Sequence, residues 1–125
     1  MWERILIIIT LVLVGVGGVT IYREHRACKQ RGQAYDDLLN KIERAAESRI
    51  LLGTPKDAVI RFFADYNIPW GFDPRTGEAE GEIYMMGCGP YIACGDSAFI
   101  VVKVKMDDAG RVTSKEVGGL YNNCL

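Results

Sequence analysis

The chain opens with an apolar stretch that carries no charge. Residues 5–21 read ILIIITLVLVGVGGVTI, seventeen positions whose apolar side chains are not confined to one helical stripe. At about 1.5 Å per helical residue the stretch is roughly 25 Å long, close to the hydrocarbon thickness of a thin bilayer. Trp2 precedes it and Tyr22 follows it, as aromatic residues do at membrane interfaces. The pattern predicts a transmembrane anchor over residues 1–22.

A cleaved signal peptide is the alternative interpretation of this stretch. The preceding MWER carries little positive charge, and the small residues at 15–19 form no clear A-x-A cleavage site. A lipoprotein signal would place a cysteine directly after the apolar core, whereas Cys28 lies seven residues beyond it. We therefore expect an uncleaved single span that contacts lipid through residues 5–21.

Two amphipathic helices are predicted after the anchor. Over residues 33–48 apolar side chains recur at the i, i+3, i+4 and i+7 spacing of a helix. A second helix is expected to begin with Thr54 as N-cap and Pro55 in its first turn, and to end near Tyr66. Asn67 suits the left-handed conformation with which many helices end.

From Trp70 onward the apolar positions alternate with a period of two, which is typical of strands. Strands are predicted at 82–86, 98–106 and 111–121, with a tight turn at 107–110. In the strand 98–106 one face is expected to carry Ile100, Val102, Val104 and Met106, and the other Phe99, Val101, Lys103 and Lys105. Val112 and Val117 have opposite parity in the last strand, so we expect a bulge between them or near Gly118-Gly119. The predicted fold class is α+β, with two helices on one face of a small antiparallel sheet of about three strands.

Charge divides the chain into three regions: the anchor 1–22, a basic juxtamembrane linker 23–32 and a soluble domain 33–125. A break between helices is expected near Gly32. The linker carries four cations, which are candidates for contact with lipid headgroups: Arg23, Arg26, Lys29 and Arg31. The domain has ten Lys or Arg against fourteen Asp or Glu, and this acidic balance excludes nucleic acid as a partner. The acidic segment 72–82 is interpreted as a solvated loop.

Cys88 and Cys94 frame a Gly/Pro turn and are the candidates for a disulfide. Free buried thiols and a redox or metal site are the alternatives, although the spacing is not that of a thioredoxin motif. Cys28 is a candidate for acylation or for pairing with Cys124. His25 is the only histidine and has no second Cys/His pair at zinc spacing, so we expect neither a metal nor a cofactor.

Membrane orientation is left open by two opposing signals. The cations of residues 23–31 would keep the domain in the cytoplasm by the positive-inside rule. Four cysteines in a small membrane-tethered domain favour an oxidising compartment instead.

The stretches LLGTPKDAVIRFFADYNI and SAFIVVKVKMDDAGRVTSKEV resemble the small periplasmic domains of the BamE/SmpA–OmlA type, which share a layout with β-lactamase-inhibitor-like repeats. The similar features are Gly53-Thr54 before the second helix and Asp-x-x-Gly-Arg-Val at Asp107–Val112. The resemblance covers roughly residues 48–120. It implies a helix–helix–β-meander fold, a location outside the cytoplasm at a membrane, and a role in binding proteins. It therefore favours the inner membrane with the domain in the periplasm.

The expected function is that of a non-catalytic binding or scaffold domain of the bacterial envelope. The candidate partner contacts are Trp70, Phe72, Tyr91, Phe99 and Val101, of which Phe99 and Val101 are expected to point outward from their strand. For Trp70 and Phe72 the alternative is packing beneath the end of the second helix. A thiol-based redox protein using Cys88 and Cys94 is one alternative. A lipid- or peptide-binding module at the membrane surface is the other.

Overall fold

The computed structural model describes residues 1–89 and 95–121, and within them two α-helices precede four β-strands. Their bounds are α1 Trp2–Arg49, α2 Lys56–Asp65, β1 Trp70–Asp73, β2 Glu78–Met86, β3 Ser97–Met106 and β4 Val112–Tyr121. The strands form one antiparallel sheet in the order β1-β2-β3-β4. The predicted α+β class is confirmed, with four strands where about three were expected.

Helix α1 is continuous over 48 residues. It passes through the region 23–32 and through Gly32, so the expected break is wrong. Residues 22–49 contain no proline and a single glycine, so no residue forces a break there. A Cβ on Gly32 would lie 3.1 Å from the Cβ of Cys88, so the glycine admits the chain after β2 against the helix. The N-terminal part of α1 is long and apolar enough to cross a membrane.

The first strand and the start of the second were not predicted from the sequence pattern. β1 has only four residues, and β2 begins at Glu78 rather than at Glu82. The acidic segment is therefore mostly a hairpin rather than a solvated loop. Its carboxylates alternate with buried Ala79 and Gly81, so they occupy one face of a strand whose other face lies on the core.

The start of α2 differs from the prediction. Its N-cap is Pro55, without a side-chain hydrogen bond, and the Thr54 hydroxyl instead accepts from the N–H of Leu51 at 2.9 Å. The β3–β4 turn satisfies this helix start, because the N–H of Lys56 donates to the Gly110 carbonyl at 2.9 Å.

Two local predictions are confirmed. Asn67 adopts the left-handed conformation with φ of 51°. The bulge lies between Val112 and Val117: Lys105 pairs with Ser114 and Met106 with Val112, which leaves Thr113 as the extra residue.

Both helices pack on the same face of the sheet and enclose the core. Ile42 of α1, Phe62 and Phe63 of α2, and Ile100 and Val102 of β3 are all fully buried. The predicted inward positions of β3 are thus confirmed. The opposite face of the sheet is not covered by any of the described residues, and we call it the outer face.

Lys115 of β4 connects the sheet to the C-terminal end of α1 by hydrogen bonds. Its ammonium group donates to the carbonyls of Ala46 and Ile50 at 2.7 and 2.6 Å. These carbonyls lie at the helix C-terminus, where the helix dipole favours a cation, and the Ala46 carbonyl also accepts from the N–H of Ile50 at 2.9 Å.

Candidate functional site at the membrane-side junction and the outer face

A disulfide between Cys28 and Cys88 joins α1 to the chain after β2. The expected Cys88–Cys94 pairing is therefore wrong, and both Cys94 and Cys124 lie outside the described residues. Sequence spacing could not identify Cys28 as the partner, since the bond spans 60 residues and depends on how α1 crosses the sheet. The helix presents Cys28 and Gly32 on one face, one turn apart, and Cys88 lies against both.

Arg31 supports the same joint. Its guanidinium donates to the Gly87 carbonyl at 3.3 Å and to the Asp96 carboxylate at 3.4 Å. Arg31 and Asp96 are both partly exposed, so the ion pair contributes little energy by itself. With Cys28 and Cys88 these residues form what we call the membrane-side junction.

The junction also brings Cys28, Cys88 and Asp96 within 4.8 Å of one another, measured between their candidate ligand atoms. Metal binding by cysteine requires thiolates, and both sulfurs are bonded to each other. In this oxidised state the group has one carboxylate and no thiolate to offer a metal ion.

The four cations expected at the membrane surface divide into two groups. Arg23, Arg26 and Lys29 are exposed on α1, whereas Arg31 belongs to the junction. In a membrane whose hydrocarbon ended at Ile21, helical rise would place Arg23 and Arg26 about 3 and 8 Å beyond it, within the headgroup layer. Lys29 and Arg31 lie farther out, at about 12 and 15 Å.

Tyr35 connects α1 to the sheet just beyond the junction. Its hydroxyl donates to the Phe99 carbonyl at 2.9 Å, and its ring packs against Tyr121 with centroids 5.1 Å apart. Burial raises the pKa of the Tyr35 hydroxyl, and Tyr121 and Asp36 raise it further. This contact sets the height of the sheet along the helix.

The outer face has an apolar half at its membrane-side end. Tyr84, Phe99 and Leu120 form one row across β2, β3 and β4, and the exposed fractions of Tyr84 and Leu120 are 58% and 50%. The Tyr84 and Phe99 rings lie 5.3 Å apart. Val101 and the 48%-exposed Met86 extend the row on either side. We call these five residues the apolar patch.

The other half of the outer face is charged. Its side chains come from all three longer strands and are Glu78, Glu80, Glu82, Lys103, Lys105 and Glu116. The Lys103 ammonium lies 4.0 Å from the Glu80 carboxylate across the β2–β3 pair. Gly118 leaves a depression of about 310 Å³ between the two halves, beside Val101.

The candidate contact residues do not form a single surface. Phe99 and Val101 lie on the outer face, but Trp70 and Phe72 point to the helix side of the sheet edge. There Trp70 stacks on Phe63 at 5.6 Å, and the Lys56 ammonium lies 3.6 Å from the Phe72 ring centroid. Tyr91 lies outside the described residues.

Three members of the apolar patch were not predicted from the sequence: Tyr84, Met86 and Leu120. The alternation of β2, extended back to Glu78, would have placed Tyr84 and Met86 on the same face as the three glutamates. Leu120 was not predicted because the bulge at Thr113 reverses which residues of β4 face outward.

A second depression, of about 600 Å³, lies at the far end of the domain between the start of α2 and two turns. Its cations are already engaged: Lys56 with the Phe72 ring, Arg75 with Asp73, and Arg111 with the Gly53 carbonyl. Among the described residues it therefore offers no free cation that would define an anionic ligand.

No protein-family model, curated protein or solved structure matches this chain. The resemblance to BamE-type domains thus stays a prediction from the sequence.

Proposed function

We propose that this protein is a membrane-anchored, non-catalytic binding domain of the bacterial cell envelope that holds a protein partner against its outer face. The observation that carries the proposal is the apolar patch. Aromatic and aliphatic side chains exposed side by side on a sheet face are typical of interaction sites, whereas single exposed apolar residues are not. The charged half beside the patch would supply the polar surroundings that such interfaces need.

The position of the patch favours a protein over lipid. Tyr35, which is level with the row of Phe99, stands about 21 Å along α1 beyond Ile21. The headgroup layer is only about 5–8 Å thick on each side of the hydrocarbon. An upright helix therefore carries the patch clear of its own membrane. Lipid contact is left to Arg23 and Arg26, which limits the lipid-binding alternative to the helix itself.

We place the domain on the periplasmic side of the inner membrane. The Cys28–Cys88 disulfide supports this orientation, because disulfides persist in oxidising compartments and are rare in the cytosol. Arg31 also contacts the Gly87 carbonyl of the domain. It is therefore one cation fewer among those that, by the positive-inside rule, would keep the domain in the cytoplasm. The redox alternative loses support, since the bond joins two structural elements at a half-buried position.

A photo-crosslinking experiment in intact cells tests the binding proposal. A photoreactive amino acid at Tyr84 should give a covalent adduct with a partner, and Phe99→Asp in the same chain should abolish it. Asn40→Asp is the matched control, because it places the same charge on the exposed side of α1. Equal adduct yields with Phe99→Asp and Asn40→Asp would refute the proposed contact surface.

Orientation is tested separately with a reporter enzyme fused after Leu125 that is active only in the periplasm. Activity is expected. An inactive fusion, together with an active cytoplasmic reporter at the same position, would reverse the compartment.

A further inference from the structure

The outer face carries an ordered pairing of charge and aromatic character between its two central strands. Cross-strand register places a β2 residue beside a β3 residue in each row. From the far end towards the membrane the rows are Glu78 with Lys105, Glu80 with Lys103, Glu82 with Val101, Tyr84 with Phe99, and Met86 with Ser97. The first two rows are acidic on β2 and basic on β3, and the fourth is aromatic on both strands.

The membrane restricts how two copies of this chain can meet. Copies anchored in one bilayer with the same orientation can form a closed pair only about a twofold axis along the membrane normal. Each residue then stands at the same height in both copies. The strands run broadly along α1, since Tyr35 contacts the sheet at Phe99 while Ala46 and Ile50 contact it at Lys115.

A twofold axis between β2 and β3 makes the outer face complementary to itself. The rotation places β2 of one copy opposite β3 of the other, row by row. Glu80 then faces Lys103 of the second copy, and Glu78 faces Lys105. Tyr84 meets Phe99 of the second copy in the middle of the contact. Each of these contacts occurs twice.

We propose that the partner bound at the outer face is a second copy of this chain, joined face to face about an axis between β2 and β3. This inference rests on the proposed function, since it uses the same surface. Stacked sheets pack about 10 Å apart with strands within about 30° of each other, so the rows remain in register near the axis. The charged rows fix the register, and the apolar patch supplies the buried area.

The expected association is weak and reversible. The three longer strands, about 30 Å long and 4.8 Å apart, and the four-residue β1 give a face of roughly 500 Å² per copy, below the roughly 800 Å² of a standard interface. Confinement to one membrane raises the effective concentration of the copies and compensates for the small area.

The same geometry keeps the membrane spans apart. Each α1 packs on the far side of its own sheet, so two sheets and two helix layers separate the helix axes by about 30 Å. Gly15, Gly17 and Gly18 of the span therefore take no part in the contact.

Charge exchange between two variants tests the pairing in the full-length protein. Donor and acceptor fluorophores fused after Leu125 report association by energy transfer in liposomes at several protein-to-lipid ratios. Lys103→Glu makes its row acidic in both copies, and Glu80→Lys makes it basic. Each variant alone should associate about tenfold more weakly than the wild type, because like charges then oppose each other twice.

Mixing the two variants should restore energy transfer to the wild-type level, because every acidic side chain then faces a basic one. Arg44→Glu, an exposed charge reversal on α1, is the control and should have no effect. Circular dichroism of each variant confirms that the fold is retained.

Absence of energy transfer in the wild type at every ratio would overturn the inference, as would undiminished association of both single variants. Either result leaves the proposed function standing if Phe99→Asp still abolishes the adduct formed from Tyr84 in cells. An adduct whose mass corresponds to a different protein, with no dimer, would identify a heterologous partner instead.

Discussion

Gly118 and Gly119 are neighbours in β4 whose missing side chains have opposite consequences. Gly118 lies on the outer face, where a Cβ would meet nothing within 4 Å. A Cβ on Gly119 would collide with the Tyr35 hydroxyl and lie 2.9 Å from a Leu39 methyl group. The second glycine is therefore required for α1 to approach the sheet, while the first keeps the depression beside Val101 open.

We expect Gly119→Ala to lower the free energy of unfolding by about 1–3 kcal/mol, since the added methyl group must displace Tyr35 or Leu39. Gly118→Ala is the matched control and should be neutral or stabilising by up to about 1 kcal/mol, because alanine restricts the unfolded chain. Denaturant unfolding of dilute protein in detergent measures both. Equal losses would contradict the assignment of the two faces.

Tyr35 gives the fold a sensitivity to alkaline pH. Its pKa is raised above the ordinary 10.0, chiefly by burial. A group whose pKa is higher in the folded state contributes stability fully below the unfolded value and loses it as the pH rises through the folded value. The free energy of unfolding should therefore decline above pH 10. Tyr35→Phe should weaken this decline, and an identical decline in the variant would show that another group causes it.

At the scale of elements, sequence patterns predicted what local periodicity determines. The second helix, the inward positions of β3 and the bulge near Val112 follow from spacing and parity, and they are confirmed. The features that were predicted wrongly depend on tertiary contacts. Gly32 lies within a continuous helix and leaves room for Cys88 instead of ending the helix. At the start of α2 the N–H of Lys56 donates to the Gly110 carbonyl, so the Thr54 side chain is not needed as a cap.

The candidate site was predicted only in part for the same reason. Phe99 and Val101 were correctly expected to point away from the core side of β3. The pairing of Cys88 depends on the crossing of α1 over the sheet, which no local spacing encodes. Trp70 follows the packing alternative, since it stacks on Phe63 of α2, but the β1–β2 hairpin that places it there was not predicted from the sequence.

The Lys115 ammonium is expected to account for much of the stability of the contact between the end of α1 and β4. Lys115→Met keeps the aliphatic stem but leaves the carbonyls of Ala46 and Ile50 without this donor. We expect a loss of about 1.5–3 kcal/mol in the free energy of unfolding. Lys105→Met, at an exposed position of β3, should change it by less than about 0.5 kcal/mol. Similar losses in the two variants would mean that the capping contacts contribute nothing.

At the scale of the whole molecule, α1 contains the stretch that is long and apolar enough to span a membrane and also forms a wall of the domain. Its first half is exposed and apolar, and its second half contributes Ile42 and Ala46 to the core. The membrane-side junction is the point where the two roles meet. The domain is thus fixed to the helix at several levels: by the disulfide, by Tyr35 and by Lys115.

Removing the disulfide with Cys28→Ser and Cys88→Ser together should lower the free energy of unfolding by about 4 kcal/mol, the chain-entropy value for a loop of about sixty residues. Denaturant unfolding of the full chain measures the change. Peptide mapping of the oxidised protein should recover Cys28 and Cys88 in one linked pair. A peptide that links Cys88 to Cys94 would contradict the structure.

Because α1 is continuous, it also determines which direction in the membrane plane the outer face points. Each helical residue turns the chain by about 100° and advances it by about 1.5 Å. One residue inserted between Tyr22 and Arg26 would thus swing the whole domain by more than a quarter turn about the helix axis while hardly changing its height. The azimuth of the binding surface relative to the lipid-facing sides of the span is therefore set by the number of residues between Ile21 and Cys28.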